Sequence, residues 1–239
     1  TIVVQTGDGA DELFAGYRGW KKYQTLYPWY NRISAMPGFA RKAIASISAG
    51  KNEESPINEI IQRASQQQEL FWGGAKAFKE STKKSFLEQS WIDKVPLPDS
   101  YQVIKKHRAK FDSIKKKYPW LTDNDWMCYL GYTYVIPSKY LYRMDRIGMA
   151  HSIEIRNPFL DYNLVDLALS VPYSMKTKNG EPKYILKKSL ERILPNEVLY
   201  RKKMGFCVPL REWAGDIMLD YVEREMNSFC SNTGIFKKE

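Results

Sequence analysis

The sequence predicts a predominantly α-helical chain with one N-terminal strand, the helical portion of an α/β domain. Three observations carry this. Ile2, Val3 and Val4 form a short β-branched run suited to a strand buried on both faces. Gly7 and Gly9 then allow a sharp turn and close approach of the backbone to a ligand, before a helical pattern with Leu13, Phe14 and Tyr17 begins at Asp11. Downstream, apolar residues recur at helical spacing and no second stretch reads as a strand with comparable strength. A single strand cannot satisfy its own backbone groups, so its sheet neighbours are expected to be missing from this chain and supplied upstream of Thr1. On that reading Thr1–Ala10 is frayed, or pairs with the same segment of another copy.

Composition narrows the function classes. The 239 residues suffice for one large domain or two small ones. No apolar run approaches the roughly 20 residues that span a bilayer, and no signal peptide is visible. Cys128, Cys207 and Cys230 are widely spaced with no CxxC pair, which argues against a disulfide framework or zinc site and makes a reducing cytoplasm the expected location. The net charge of +10 admits nucleic acid, an anionic membrane surface or a phosphate-rich substrate. Nucleic acid is not the expected partner, since no helix-turn-helix, zinc or RNP signature is present.

In chain order, residues 11–49 read as helical, punctuated at Pro28 and Pro37, with an aromatic series from Tyr17 to Tyr30 that suits helix packing or base stacking. A polar loop over 50–58 leads to a helix over about 57–71, a Gly73-Gly74 break and short helical pieces to about 92. Pro96 and Pro98 keep the next connector extended. Residues 101–117 make a basic amphipathic helix, either a solvated face or a docking surface, with His107 on its surface. Asp123 or Asn124 caps a helix to about 135, Pro137 interrupts it, and another helix carries residues 140–151, with His151 packed or capping at its end. Asp161 caps a helix that Pro172 stops. Asn179-Gly180 is a turn, Pro182 suits the first position of a helix to about 194, and Pro195-Asn196 opens a short one. A last helix starts near 210, and the tail from Asn227 is expected to fray. The divisions expected are therefore 1–17, 18–125, 126–225 and 226–239.

Strand, glycine turn and helix start together make a place for an anionic ligand, and the acids of the first turn could also hold a metal that bridges phosphates. The alternative is an ordinary βα turn with an acidic cap. Two lysines suit a nucleotide triphosphate alongside Gly7-Asp8-Gly9-Ala10-Asp11: Lys183, just after a turn, and Lys203, in a basic loop hinged by Gly205. Each is a compact cation able to neutralise charge on a departing phosphate, or else a plain surface residue.

Four stretches in order resemble the synthetase domain of glutamine-dependent asparagine synthetases, which the β-lactam synthetases share. They are Thr6-Gly-Asp-Gly-Ala-Asp-Glu-Leu-Phe-Ala-Gly-Tyr17, Asp145-Arg-Ile-Gly-Met-Ala-His-Ser-Ile-Glu-Ile-Arg-Asn-Pro-Phe-Leu-Asp161, Gly180-Glu-Pro-Lys-Tyr-Ile-Leu186, and Leu194-Pro with Lys203-Met-Gly-Phe-Cys-Val-Pro209. The match runs from residue 1 to about 213, with residues 18–125 similar only in being helical.

The resemblance implies an ATP pyrophosphatase-type α/β domain that uses ATP and Mg2+ to adenylate a carboxylate, aspartate in the first instance. Ammonia from an N-terminal glutaminase then attacks the adenylate. By position it implies that Gly7, Asp8 and Gly9 line the nucleotide, with Asp8 at the reaction centre. Asp11 is then a magnesium ligand, Lys183 and Lys203 grip the triphosphate, and Lys203 acts during adenylation. The family's Ser-Gly-Gly-x-Asp-Ser loop and glutaminase cysteine are not in this sequence, so the chain is expected to be a C-terminal piece, inactive alone. Self-association is left open. Where many relatives carry acids, this chain reads Pro137-Ser-Lys-Tyr140. That departure leaves open a sugar carboxylate or a peptide as the substrate, and outside this family a helical interaction module.

Overall fold

The N-terminal strand has a partner within this chain. In the computed structural model, which describes residues 2–48, 56–73, 85–95, 99–203, 209, 212–213 and 218–237, Val3–Gln5 (β1) pairs in parallel with Glu154–Arg156 (β2). Val3 faces Glu154, Val4 faces Ile155 and Gln5 faces Arg156. Thr6 N–H donates to the Arg156 carbonyl at 3.0 Å and Glu154 N–H to the Ile2 carbonyl at 2.8 Å, so the pairing extends beyond both strands. The expectation of a strand with no neighbour here is thus corrected. Glu-Ile-Arg carries one apolar residue in three positions, too little for a periodic signal. The expected burial on both faces is corrected as well, because Ile2, Val3 and Val4 are exposed.

The chain divides into two units, Thr1–Ala75 with Tyr101–Leu199, and Lys76–Ser100 with Tyr200–Glu239. The first is mostly helical. Its larger core gathers Trp20, Tyr23, Tyr27, Phe71, Phe111 and Trp126, so most of the aromatic series packs helices together, although Trp29 remains exposed. Lys21–Ser34 is one helix that runs through Pro28. Proline there forgoes one ladder bond at about 3 kcal/mol, and burial of Tyr23 and Tyr27 on the same helix offsets that cost. Pro56–Ser65 ends earlier than the pattern suggests, where Gln67 turns left-handed at φ 53°.

The basic helix is present as Tyr101–Lys117, but Arg108 is not solvated. Its guanidinium meets Glu69 at 2.7 Å, Asp112 at 2.9 Å and Asp123 at 3.0 Å. Buried Glu69 also accepts from the Tyr27 hydroxyl at 2.7 Å. His107 is half-buried, its ring 5.1 Å from that of Tyr134.

Pro137 does not interrupt its helix either. Asp123–Leu130, the π-helical Gly131–Leu141 and Tyr142–Ala150 follow without a break. The wider π turn relieves the clash of a proline ring with the preceding carbonyls. The cap is Thr122 rather than Asp123 or Asn124: its hydroxyl accepts from Asn124 N–H at 3.2 Å, and Asp125 accepts from Thr122 N–H at 2.8 Å. His151 caps the far end through Nδ1, 3.0 Å from the Ile147 carbonyl. Asp161 caps Tyr162–Ser170 as the sequence suggests. The hairpin Thr177–Lys178 (β3) and Glu181–Pro182 (β4) turns at Asn179-Gly180, so Pro182 lies in a strand and the helix starts at Tyr184 and ends at Leu190.

In the second unit, helix Leu219–Thr233 runs on past Asn227. Leu87 bridges Phe236, and Lys237 N–H donates to the Phe86 carbonyl at 2.9 Å. The tail through residue 237 is therefore packed rather than frayed, held by buried Cys230 and the Phe86, Phe229 and Phe236 rings.

Candidate active site

The Gly-Asp-Gly turn is shaped by what lies beneath it. The β1–β2 pairing carries the chain after Arg156 under the turn, where Pro158–Leu160 forms a short 3-10 segment. Gly9 has φ +95°, and a Cβ there would stand 2.4 Å from Leu160 Cδ2, so glycine is required on both counts. Gly7 differs: it is exposed, and nothing lies within 4 Å of a Cβ placed on it. The expected conformational need for glycine holds at Gly9 alone, while Gly7 leaves open space on the outer side of the turn. The Thr6 hydroxyl donates to the Asp8 carboxylate at 2.8 Å. The Asn157 side-chain amide stands 2.5 Å from the same hydroxyl. The atom on that side is the amide oxygen, an acceptor, so Asp8 and Asn157 share the one hydroxyl proton of Thr6.

Asp11 and Lys183, 172 residues apart, meet at 2.9 Å. Lys183 is left-handed at φ 56° and its N–H donates to the Phe14 carbonyl at 3.2 Å, which pins the end of the β3–β4 hairpin to the first turn. Gly16 makes room for the pair: a Cβ there would fall 1.9 Å from Asp11 Oδ1 and 2.3 Å from Lys183 Cε. Both side chains are about a quarter exposed, so the pair is open to solvent and to a ligand.

Glu12, next in sequence to Asp11, points the other way. It is buried at 3% exposure and accepts from the Tyr17 hydroxyl at 2.6 Å. Burial pushes its carboxyl above the usual range, against the opposing effect of the Tyr17 hydrogen bond, and the negative charges of Asp11 and Asp8 add to the rise. Tyr17 stands 3.4 Å from the Tyr140 hydroxyl, and burial raises the Tyr17 phenol further still. Gly131 lies against this carboxylate, with a notional Cβ 3.0 Å from Glu12 Cγ. The three side chains line a cavity of about 290 Å³ with Trp20, Lys22 and Lys139. The sequence flagged Lys139 by its departure from the relatives; it gave no sign that Glu12 turns inward while Asp11 turns out.

Lys203 belongs to the second unit and is exposed there; the rest of its loop, residues 204–208, lies outside the described residues. Among the described residues no group of three His, Cys, Asp or Glu side chains could hold a metal alone. Cys128 and Cys230 are buried free thiols, and burial pushes the Cys128 thiol up to about 12. No helix among the described residues is long and apolar enough to cross a membrane.

The asparagine synthase family profile matches residues 1–239. Asparagine synthetase [glutamine-hydrolyzing] 1 of Bacillus subtilis is 33% identical over 236 residues, 98% of this chain and 35% of that protein. A putative asparagine synthetase [glutamine-hydrolyzing] of Mycobacterium bovis is 28% identical over 222 residues, 90% of this chain and 31% of that protein. The asparagine synthetase [glutamine-hydrolyzing] of Gallus gallus is 36% identical over 92 residues, 36% of this chain and 16% of that protein. The chain spans about a third of the length of the first two relatives. No solved structure matches it.

Proposed function

This chain belongs to the asparagine synthase family, and from that premise we propose that the intact protein is an ATP-dependent amide-forming ligase. The observation that carries the reading is the meeting of Asp11 with Lys183 beside an open Gly-Asp-Gly turn. A carboxylate oxygen of the substrate attacks the α-phosphorus of ATP, the bond to the bridging oxygen breaks, and pyrophosphate leaves. Ammonia, supplied by glutamine hydrolysis as the relatives' names indicate, then attacks the acyl carbon, AMP departs and a proton is lost.

The roles follow from placement and charge. Gly7 offers uncovered backbone to the nucleotide, and Asp8 beside it is assigned to the reaction centre from its family motif. Gly9 keeps Leu160 close beneath the turn. Lys183 transfers from Asp11 to the phosphates, whose negative charge outbids a single carboxylate. Lys203 is assigned a role in adenylation from its family motif alone.

Magnesium is tested by the donors available. Glu12 is withdrawn to Tyr17, and Asp8 is engaged by Thr6. Asp11 is paired with a movable cation, the Lys183 ammonium, and a magnesium ion that keeps phosphate oxygens and waters needs one or two carboxylates. The residues therefore fit, with Asp11 as the ligand. Bound there, the ion would neutralise phosphate charge.

One observation favours a substrate other than aspartate. Lys139 and Lys22 share the cavity of Glu12 and Tyr140, which suits a carboxylate on a larger or more anionic body, such as a sugar acid or a peptide. The test is carboxylate-dependent pyrophosphate release by the intact protein with ATP, Mg2+ and ammonia, run on aspartate and on such acids. Release with none of them contradicts the ligase reading. Lys203→Ala should lower kcat by about a few hundred-fold if the lysine acts on developing charge, whereas a change in KM for ATP alone removes that role.

A further inference from the structure

We propose that the cavity between residues Arg18–Gln24 and the β3–β4 hairpin binds a phosphate-class oxyanion, with Arg18 and Lys21 as its cations. The cavity measures about 470 Å³, larger than the one beside Glu12, and no carboxylate lines it. Among the described residues neither Arg18 nor Lys21 has an ion pair. The Lys21 ammonium sits over the hairpin turn, 3.5 Å from where a Gly180 Cβ would lie. That turn is built from two left-handed residues, Asn179 at φ 52° and Gly180 at φ 79°, and so leaves the ammonium room.

Neutral donors complete the lining. Gln24 Nε2 donates to the Tyr173 hydroxyl at 2.7 Å, which leaves the hydroxyl proton for another acceptor. Thr177 and Asn179 add a hydroxyl and an amide. Two cations, a phenol and an amide around one space match a tetrahedral oxyanion, which accepts on every face, and Arg18 supplies a planar fork for two of its oxygens. The volume admits a diphosphate or a phosphorylated small molecule as well as a single phosphate. Lys183 is not part of this site, since it adjoins Pro182 in sequence but its side chain is held by Asp11. The proposal stands independently of the ligase reading.

The test is calorimetric titration of the intact protein carrying Lys183→Gln, which disables the Asp11 turn. Inorganic phosphate, pyrophosphate, AMP and acetate serve as probes. Saturable binding of phosphate or pyrophosphate is expected, with acetate much weaker. AMP binding as tightly as phosphate would identify a nucleotide phosphate as the ligand, and AMP failing to bind would identify the free oxyanion. Adding Arg18→Gln or Lys21→Gln should each weaken binding by about tenfold or more, the worth of one charge-assisted hydrogen bond. Tyr173→Phe, which keeps the buried ring, should weaken it by a smaller factor. The proposal is overturned by no saturable binding, by binding indifferent to Arg18 and Lys21, or by an equal loss when the exposed Lys105 and Lys106 are replaced instead.

Discussion

The Lys183 ammonium and the Asp11 carboxylate meet at 2.9 Å in the space that Gly16 leaves by having no side chain. The contact joins the first turn of the chain to a hairpin far along it. Its partial exposure makes it worth at most about 1 kcal/mol to folding, so its value is positional.

Gly16→Ala tests that distinction. A Cβ would displace the Asp11 carboxylate and the Lys183 stem, both movable side-chain ends. The expected outcome is a folded protein whose denaturation midpoint shifts little, with pyrophosphate release lowered by at least about tenfold as the two groups lose alignment. Unchanged release would mean that the pair has no part in the reaction.

The two glycines of the turn should part company. Gly9→Ala places a side chain at φ +95° against Leu160 and should cost about 1–3 kcal/mol of stability, measured by urea unfolding. Gly7→Ala meets nothing and should leave stability unchanged while weakening ATP binding. Equal destabilisation by both would show that the turn is constrained throughout, with no free face for a ligand.

Glu12 should leave its mark on pH dependence. Burial raises its folded pKa above the unfolded value, so the folded chain holds the proton more tightly. Stability from this group is fully present below the ordinary carboxyl range and falls as pH rises through the raised folded value. Glu12→Gln keeps an acceptor for Tyr17 and removes the ionisation. Unfolding midpoints of the two proteins should therefore diverge as pH rises from 4 toward 7, with the wild type losing ground. Parallel curves would mean that Glu12 titrates as an ordinary surface acid.

Much of the helical architecture was legible because apolar spacing is dictated by helix geometry: Tyr101–Lys117 and the Asp161-capped helix were read directly. The misreadings share a cause. Pro28 and Pro137 read as breaks because local backbone chemistry disfavours proline inside helices, yet core burial and a π-helical stretch absorb both. Glu154–Arg156 was missed because a three-residue strand is defined by its partner rather than by its own composition. At the site, the residue types were visible in the turn and in Lys183, while the pairing of Asp11 with Lys183 and the inward turn of Glu12 depend on contacts between distant segments. Arg108 likewise reads in the sequence as one more surface cation, because Glu69 and Asp123, which pair with it, are distant in the chain.

The most direct test of the central claim is ATP–pyrophosphate exchange by the intact protein, wild type against Asp11→Asn, with folding checked by circular dichroism. Asn keeps the volume of Asp11 and removes the charge that pairs with Lys183 and would hold magnesium. The account predicts carboxylate-dependent exchange in the wild type and a loss of about 100-fold or more in the variant, with the fold unchanged. Near-wild-type exchange by a folded Asp11→Asn protein would contradict it.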